Sequence, residues 1–430
     1  MNATIHPARI EGMVAIPASK SVTQRALAAA LLKGGTSKIT NTGHSNDELA
    51  AKNILSSLGA TIEEENAALR VISKGINPVS RIINCGESGL SARMFAPIAA
   101  LGSQRLTLIG EGSLQTRPFF PFVDIFPQLG VFVQSNNGRL PLQLEGPLSP
   151  ADITVDGSLS SQFLTGLLFA YAGYFSNSAC NIPKASIYVS NAVSKPYLDL
   201  TIEVIKRFGL AVPHHIDYGQ FEFVHSPRVQ QHLDYNVEGD WSSAAMMAVA
   251  AATAGTIAIQ GLKKDSLQAD RAIIQLLEAA GATAVWNGST VSIKSAETLE
   301  AFEFDALHHP DLVPSLVVLA AHCNGRSIIK NIHRLRHKES DRAQTLKTEF
   351  GKMNVAITIS GDNMMVDGPC TINGATVSAN NDHRIAMACA VAGLRATSPV
   401  TIEGAEAINK SYPDFLNHLS AMGVTVSLSK

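Results

Sequence analysis

A short phrase recurs six times along this chain: an apolar helix end, a small turn residue, then a β-prone run. The copies are Leu58–Ile62, Leu129–Val133, Phe208–Val212, Ala280–Val285, Met353–Ile357 and Met422–Val426. Their turn residues are Gly59, Gly130, Gly209, Gly281, Asn354 and Gly423, separated by 71, 79, 72, 73 and 69 residues. Helices often end on a residue with positive φ, which glycine adopts most easily and asparagine next. A near-constant period is the mark of a repeated supersecondary unit. Six units in 430 residues predict two domains of three repeats each.

Each unit mixes helix and strand. Ser194–Phe208, Gln268–Ala280 and Ser411–Met422 read as amphipathic helices leading into three of the turns. Gly35–Thr40, Gly255–Gly261, Gly325–Asn331 and Ser398–Gly404 share a small residue followed by alternating apolar positions, and read as strands. The class expected is therefore α/β.

Composition narrows the function. The formal net charge is −2, so no global basic field exists to hold nucleic acid. The five cysteines, Cys85, Cys180, Cys323, Cys370 and Cys389, show no C-x-x-C spacing, which argues against a zinc site or disulfide framework and fits a reducing compartment. The longest apolar run, about Ala244 to Ala254, is too short to cross a membrane. With no signal-like segment in Met1–Lys20, a cytoplasmic protein is expected.

Local cation clusters stand out against this nearly neutral background. Pro17–Arg25 carries a turn into a helix, with Lys20 at its start, Arg25 one turn on, and Ser21 and Gln24 spaced for a capping box. Helix N-termini favour anions, so ammonium, guanidinium and hydroxyl there suit a phosphate. Cys85–Arg93 is a glycine turn entering a helix, with Arg93 four residues past Gly89; the polar stretch Gly110–Thr116 leads to Arg117 and Pro118. Asp156–Phe163 places three serines and Gln162 before an apolar run. Lys338 and Arg342 sit four apart, with Glu339 and Asp341 as the carboxylates to relieve their repulsion. Asn381–Arg384, Lys410 and Asp311 adjoin other apolar segments. No histidine pattern suggests a metal, and no Walker loop or G-x-G-x-x-G follows a strand.

In this order, SKSVTQRAL, ESGLSAR, the Arg117-Pro118 loop, DGSLSSQF, VSKPY, EGDWSSAA, LRHKESDR, NDHR and the Lys410 region resemble the 5-enolpyruvylshikimate-3-phosphate synthase family of enolpyruvyl transferases. The resemblance spans Lys20 to Lys410. It implies two similar domains, each of three βαβαββ repeats (an inside-out α/β barrel), with residues 19–237 in one, 1–18 and 238–430 in the other, and an active site in the cleft between them. It implies transfer of the enolpyruvyl group of phosphoenolpyruvate to the 5-hydroxyl of shikimate 3-phosphate, by a monomer, without metal or organic cofactor.

Carried over by motif, Lys20, Ser21, Arg25, Ser160, Ser161, Gln162, Ser194, Asp311 and Lys338 are expected to contact shikimate 3-phosphate. Lys20, Gly89, Arg117, Gln162, Arg342, Arg384 and Lys410 are expected to contact phosphoenolpyruvate. Asp311 is the candidate for taking the hydroxyl proton; Glu339 and Lys20 are both candidates for protonating C3.

The chain departs from the family pattern at several points. Glu87-Ser-Gly-Leu90 replaces the frequent Asn-Ala-Gly-Thr, putting a negative charge beside an anion site and removing a hydroxyl. Arg334 stands where part of the family has asparagine, and His337 adjoins Lys338, where it is expected to bear on local titration. Gly89 is retained, so inhibition by glyphosate, which competes with phosphoenolpyruvate in the family, is expected. The nearest alternative is the UDP-N-acetylglucosamine enolpyruvyl transferase, which shares the fold. It typically carries Lys-Asn in the first motif and a loop cysteine, neither present here. A non-catalytic anion binder on the same scaffold would be expected to lose its acids, yet Asp311 and Glu339 are present.

Overall fold

In the computed structural model, which describes residues 1–65, 68–227 and 232–429, all six turn residues have positive φ. The values are 97° at Gly59, 72° at Gly130, 66° at Gly209, 101° at Gly281, 65° at Asn354 and 94° at Gly423. The repeat period thus reports a backbone requirement met once per unit.

The chain splits into two compact units, Met1–Pro17 with Glu238–Lys430, and Ala18–Val237. Among the described residues, each contains three small sheets. In the Ala18–Val237 unit, Ile82–Asn84 pairs parallel with Arg105–Ile109, which pairs antiparallel with Arg139–Glu145, which pairs antiparallel with Phe132–Asn136. Ile153–Asp156, Lys184–Ser190, Gln220–Val224 and His214–Ile216 repeat that order. The third sheet borrows its first strand: Leu233–Asn236, from the end of the unit, pairs parallel with Gly35–Thr40. A parallel pair needs a crossover, and in four of the sheets one helix supplies it directly: Gly89–Ala99, Ser161–Phe175, Val313–Ala320 and His383–Gly393.

The other unit follows the same plan. Ile10–Ala15 pairs parallel with Gly255–Gln260, and Cys323–Lys330 lies between short parallel partners and antiparallel Asn363–Gly368. Asn2–Ile5 completes the last sheet between Val400–Glu403 and Val426–Ser429.

Helices, not sheets, fill the centre of each unit. Lys20–Lys33, Gly89–Ala99 and Ser161–Phe175 pack on one another in one, and Trp241–Ala254, Val313–Ala320 and His383–Gly393 in the other. These six are buried nearly all round, as expected for helices with small and apolar residues on every face. Gly166 permits a close approach of two of them: a Cβ there would lie 2.5 Å from the Arg93 carbonyl oxygen.

Two helix expectations are trimmed. The segment expected to be helical from Gln268 starts as a 3₁₀ turn, Ala269–Ala272, before the Ile273–Ala279 helix. The final helix is Phe415–Ala421, because Pro413 disfavours helical backbone at Tyr412.

Candidate active site

Lys20, Ser21, Gly89, Ser160, Ser161, Gln162 and Arg384 lie at the N-terminal ends of the buried helices. Those ends carry unsatisfied N–H groups and the positive pole of the helix dipole. Caps fix where they lie: Ser88 accepts from Ser91 N, Ser160 from Gln162 N, Asp240 from Ser243 N and Asp382 from Arg384 N.

In the Ala18–Val237 unit, Lys20 opens its helix and its Nζ lies 2.7 Å from Asp47 Oδ2. The capping box expected of Ser21 and Gln24 does not form. Ser19 is the N-cap, Ser21 lies within the first turn, and Gln24 Nε2 instead donates to Ser88 Oγ and Ser91 Oγ at 2.8 and 3.0 Å. Arg25 is buried, donating from Nε to Thr201 Oγ1 at 3.0 Å and from Nη1 to the Ser21 carbonyl at 2.8 Å. Burial lowers its pKa to about 10.

Gly89, Arg117 and Gln162 meet at one corner. A Cβ on Gly89 would fall 2.5 Å from Arg117 Nη1 and 3.6 Å from Gln162 Oε1. Arg93 Nη1 holds that Gln162 oxygen at 2.8 Å, while its guanidinium lies over the rings of Phe119 and Phe163. Arg117 itself closes a 3₁₀ turn, Gly112–Thr116, formed within the expected loop. Ser161 is buried beside the Ser160 cap, and buried Ser194 takes φ 52° before the Lys195–Arg207 helix.

The second group, in the other unit, is a charge network around Asp311. Its Oδ1 lies 3.1 Å from Lys338 Nζ, 2.9 Å from Arg342 Nη1 and 3.6 Å from Arg384 Nε. Arg342, fully buried, also reaches Glu339 Oε2 at 2.5 Å and Asp382 Oδ2 at 2.9 Å. Lys410 Nζ donates to the Asn381 carbonyl at 2.7 Å. Arg334 donates to the Leu307 carbonyl at 2.9 Å, and His337 is exposed.

Lys338 and Arg342 do not share a helix face. Lys338 follows the His333–His337 turn, and the helix begins only at Arg342, capped by Asp341. The carboxylates between these cations are Asp311 and Glu339, whereas Asp341 binds the Gln344 amide.

Titration follows from the geometry. Burial opposes ionisation of Asp311, but Arg384, Lys338 and Arg342 outweigh it and hold the carboxyl well below the usual range. Burial lowers the Lys338 pKa against the pull of Asp311. Burial likewise opposes charge on Arg342, and Asp382, Glu339 and Asp311 together reverse that. Asp270, buried nearby, accepts a short hydrogen bond from Ser242; burial first, then repulsion from Asp311, push its carboxyl upward.

Three partners escaped the sequence reading: Asp47, Asp382 and Asp270. Asp382 lies inside the NDHR phrase, and an aspartate opening an apolar segment is a cap signal. Asp47 and Asp270 carry no comparable sign. Among the described residues, no group of three or more His, Cys, Asp or Glu could hold a metal ion, and no helix is long and apolar enough to cross a membrane.

The arrangement offers buried cations, hydroxyls and helix N-termini for multiply charged anions, and an ionised carboxylate able to accept a proton. Comparison with known proteins agrees with that chemistry. Residues 5–419 match the family model described as EPSP synthase (3-phosphoshikimate 1-carboxyvinyltransferase). The chain is 36% identical to the 3-phosphoshikimate 1-carboxyvinyltransferase of Clostridium kluyveri, covering 98% of this chain and 97% of that one. It is 36% identical to that of Methanocorpusculum labreanum, covering 98% and 99%. Among solved structures it is similar to EPSP synthase from Acinetobacter baumannii, with a TM-score of 0.81, 23% identity and 100% of each chain covered. It is also similar to the enolpyruvyl transferase NikO from Streptomyces tendae, with a TM-score of 0.80, 17% identity and 99% and 98% covered. At these identities the two structural likenesses speak for the fold alone.

Proposed function

Because this chain belongs to the EPSP synthase family, we propose that it transfers the enolpyruvyl group of phosphoenolpyruvate to the 5-hydroxyl of shikimate 3-phosphate, releasing phosphate. The two groups of site residues serve this one reaction. Lys20, Ser21, Arg25, Ser160, Ser161, Gln162, Ser194 and Lys338 hold shikimate 3-phosphate. Gly89, Arg117, Arg342, Arg384 and Lys410 hold phosphoenolpyruvate, with Lys20 and Gln162 touching both. Each substrate carries a carboxylate and a phosphate, so cations must offset their mutual repulsion. Arginine forks suit both groups, and lysine acts as a movable point charge.

One observation carries the reading furthest. Asp311 keeps an ionised carboxylate, its side chain 22% exposed, beside two buried guanidiniums and an ammonium. Its partly exposed, ionised oxygen can accept a hydrogen bond from the 5-hydroxyl and take that proton as the oxygen attacks C2 and becomes acidic, although the cations that keep it ionised also lower its basicity. C3 gains a proton from Glu339 or Lys20, giving a tetrahedral adduct. Loss of phosphate from C2 and of a proton from C3 then restores the double bond.

The deciding experiment is a phosphate-release assay with shikimate 3-phosphate and phosphoenolpyruvate. Release with this pair is expected. Silence with this pair, but release with UDP-N-acetylglucosamine, would overturn the assignment. We further propose that the enzyme works as a cytoplasmic monomer and that glyphosate inhibits it at micromolar concentration. Gly89, bare of a side chain beside Arg117, supports the inhibitor reading. Untouched activity at that concentration would sink it, with Leu90 the first residue to examine.

A further inference from the structure

Glu87 introduces a negative charge two residues before Gly89. Its Oε2 accepts a hydrogen bond from the Ser113 amide at 3.1 Å. Ser113 belongs to the Gly112–Thr116 turn that ends at Arg117. Gly112 has φ 49°, and a Cβ there would lie 2.2 Å from Glu87 Oε2, so the carboxylate rests directly against this glycine. Two further ties join the same segments. Glu111 N donates to the Gly86 carbonyl at 2.7 Å, and Asn84 Nδ2 donates to Glu111 Oε1 at 2.9 Å. Within the turn, Arg117 N bonds the Leu114 carbonyl and Thr116 Oγ1 the Ser113 carbonyl, while Leu114 is buried in the core and Gln115 Nε2 reaches the Gly110 carbonyl. A short, self-bonded turn moves as a body, so whatever clips its start also fixes its end.

We propose that Glu87 is a positioning residue for phosphoenolpyruvate: its carboxylate clips the Gly112–Thr116 turn and thereby sets Arg117 over Gly89. This rests on the reading that Arg117 binds phosphoenolpyruvate. The role requires an acceptor oxygen at this place, which an amide also supplies. A charge beside the anion site thus acts through a backbone N–H and is not itself needed by the substrate.

The test compares wild type, Glu87→Ala and Glu87→Gln by amide hydrogen exchange over residues 110–117 and by the KM of each substrate. Glu87→Ala is expected to speed exchange there and to raise the KM for phosphoenolpyruvate about tenfold, the scale of one lost hydrogen bond. The KM for shikimate 3-phosphate is expected to change less than about twofold. Glu87→Gln is expected to restore slow exchange and the wild-type KM. Unchanged exchange in the alanine variant, equal rises in both KM values, or a glutamine variant as impaired as alanine would overturn the proposal. If wild type releases no phosphate, the functional reading falls, while the exchange rates still decide whether Glu87 clips the turn.

Discussion

Arg342 Nε lies 2.9 Å from Asp382 Oδ2, and both side chains are fully buried. A buried pair is costly to break, because removing one partner strands the other's charge in a low-dielectric interior. Arg342→Ala leaves Asp382 without its guanidinium and is expected to destabilise the protein by about 3–5 kcal/mol. Arg342→Lys keeps a charge but cannot fork between Asp382, Glu339 and Asp311, and should fall between the two. Thermal unfolding of both variants checks the order; an alanine variant as stable as wild type contradicts it.

Asp311→Asn removes the proposed base while keeping the size of the side chain. A fall in kcat of about 10²–10⁴ is expected, with shikimate 3-phosphate binding still measurable. The same change should alter acid stability. The native Asp311 pKa is depressed, so its contribution is full above the ordinary carboxylate pKa of about 4 and disappears as pH falls below it. Wild type should therefore lose stability more steeply than the variant as pH falls below about 4, a difference readable from urea midpoints.

Gly89→Ala places a methyl 2.5 Å from Arg117 Nη1. The guanidinium must shift, so the KM for phosphoenolpyruvate is expected to rise about tenfold. Steady-state kinetics with each substrate varied in turn should show the change on that substrate alone.

Asp270 titrates in the opposite sense to Asp311. Its folded carboxyl is pushed upward by burial and by Asp311, so the native state holds its proton to higher pH than the unfolded chain. That makes wild type lose stability as pH rises from about 4. Asp270→Asn has no proton to lose, and its melting temperature relative to wild type should climb with pH across that interval. A constant offset would show that Asp270 keeps an ordinary pKa.

Gly166→Ala tests the helix packing. The added methyl meets backbone, the Arg93 carbonyl at 2.5 Å and that of Met94 at 2.9 Å. Overpacking of this kind costs about 1–3 kcal/mol. Because Arg93 holds Gln162, activity should fall with stability, and normal values of both would show that the helices can separate freely.

The sequence by itself determined the repeat and most of the cation set. Six turns at positive φ are local requirements of single residues, so the period survives in the linear pattern. Helices buried on every face announce themselves by their small and apolar residues. The motifs placed Lys20, Gly89, Gln162 and Arg384 within the first turns of such helices, and position along a helix is also local. What tertiary structure decided was the pairing of charges. Lys20 with Asp47 spans 27 residues and Arg342 with Asp382 spans 40; neither spacing belongs to any period of helix or strand. Glu339 and Asp341 were the carboxylates that the spacing offered; Glu339 does pair with Arg342, but Asp341 caps the helix, and Asp311 and Asp382 take its place. Glu87 likewise read as an unfavourable charge until the Gly112–Thr116 turn was seen folded against it. Such contacts depend on how buried helices and turns pack in space, and ion pairing falls off with distance in space, not along the chain.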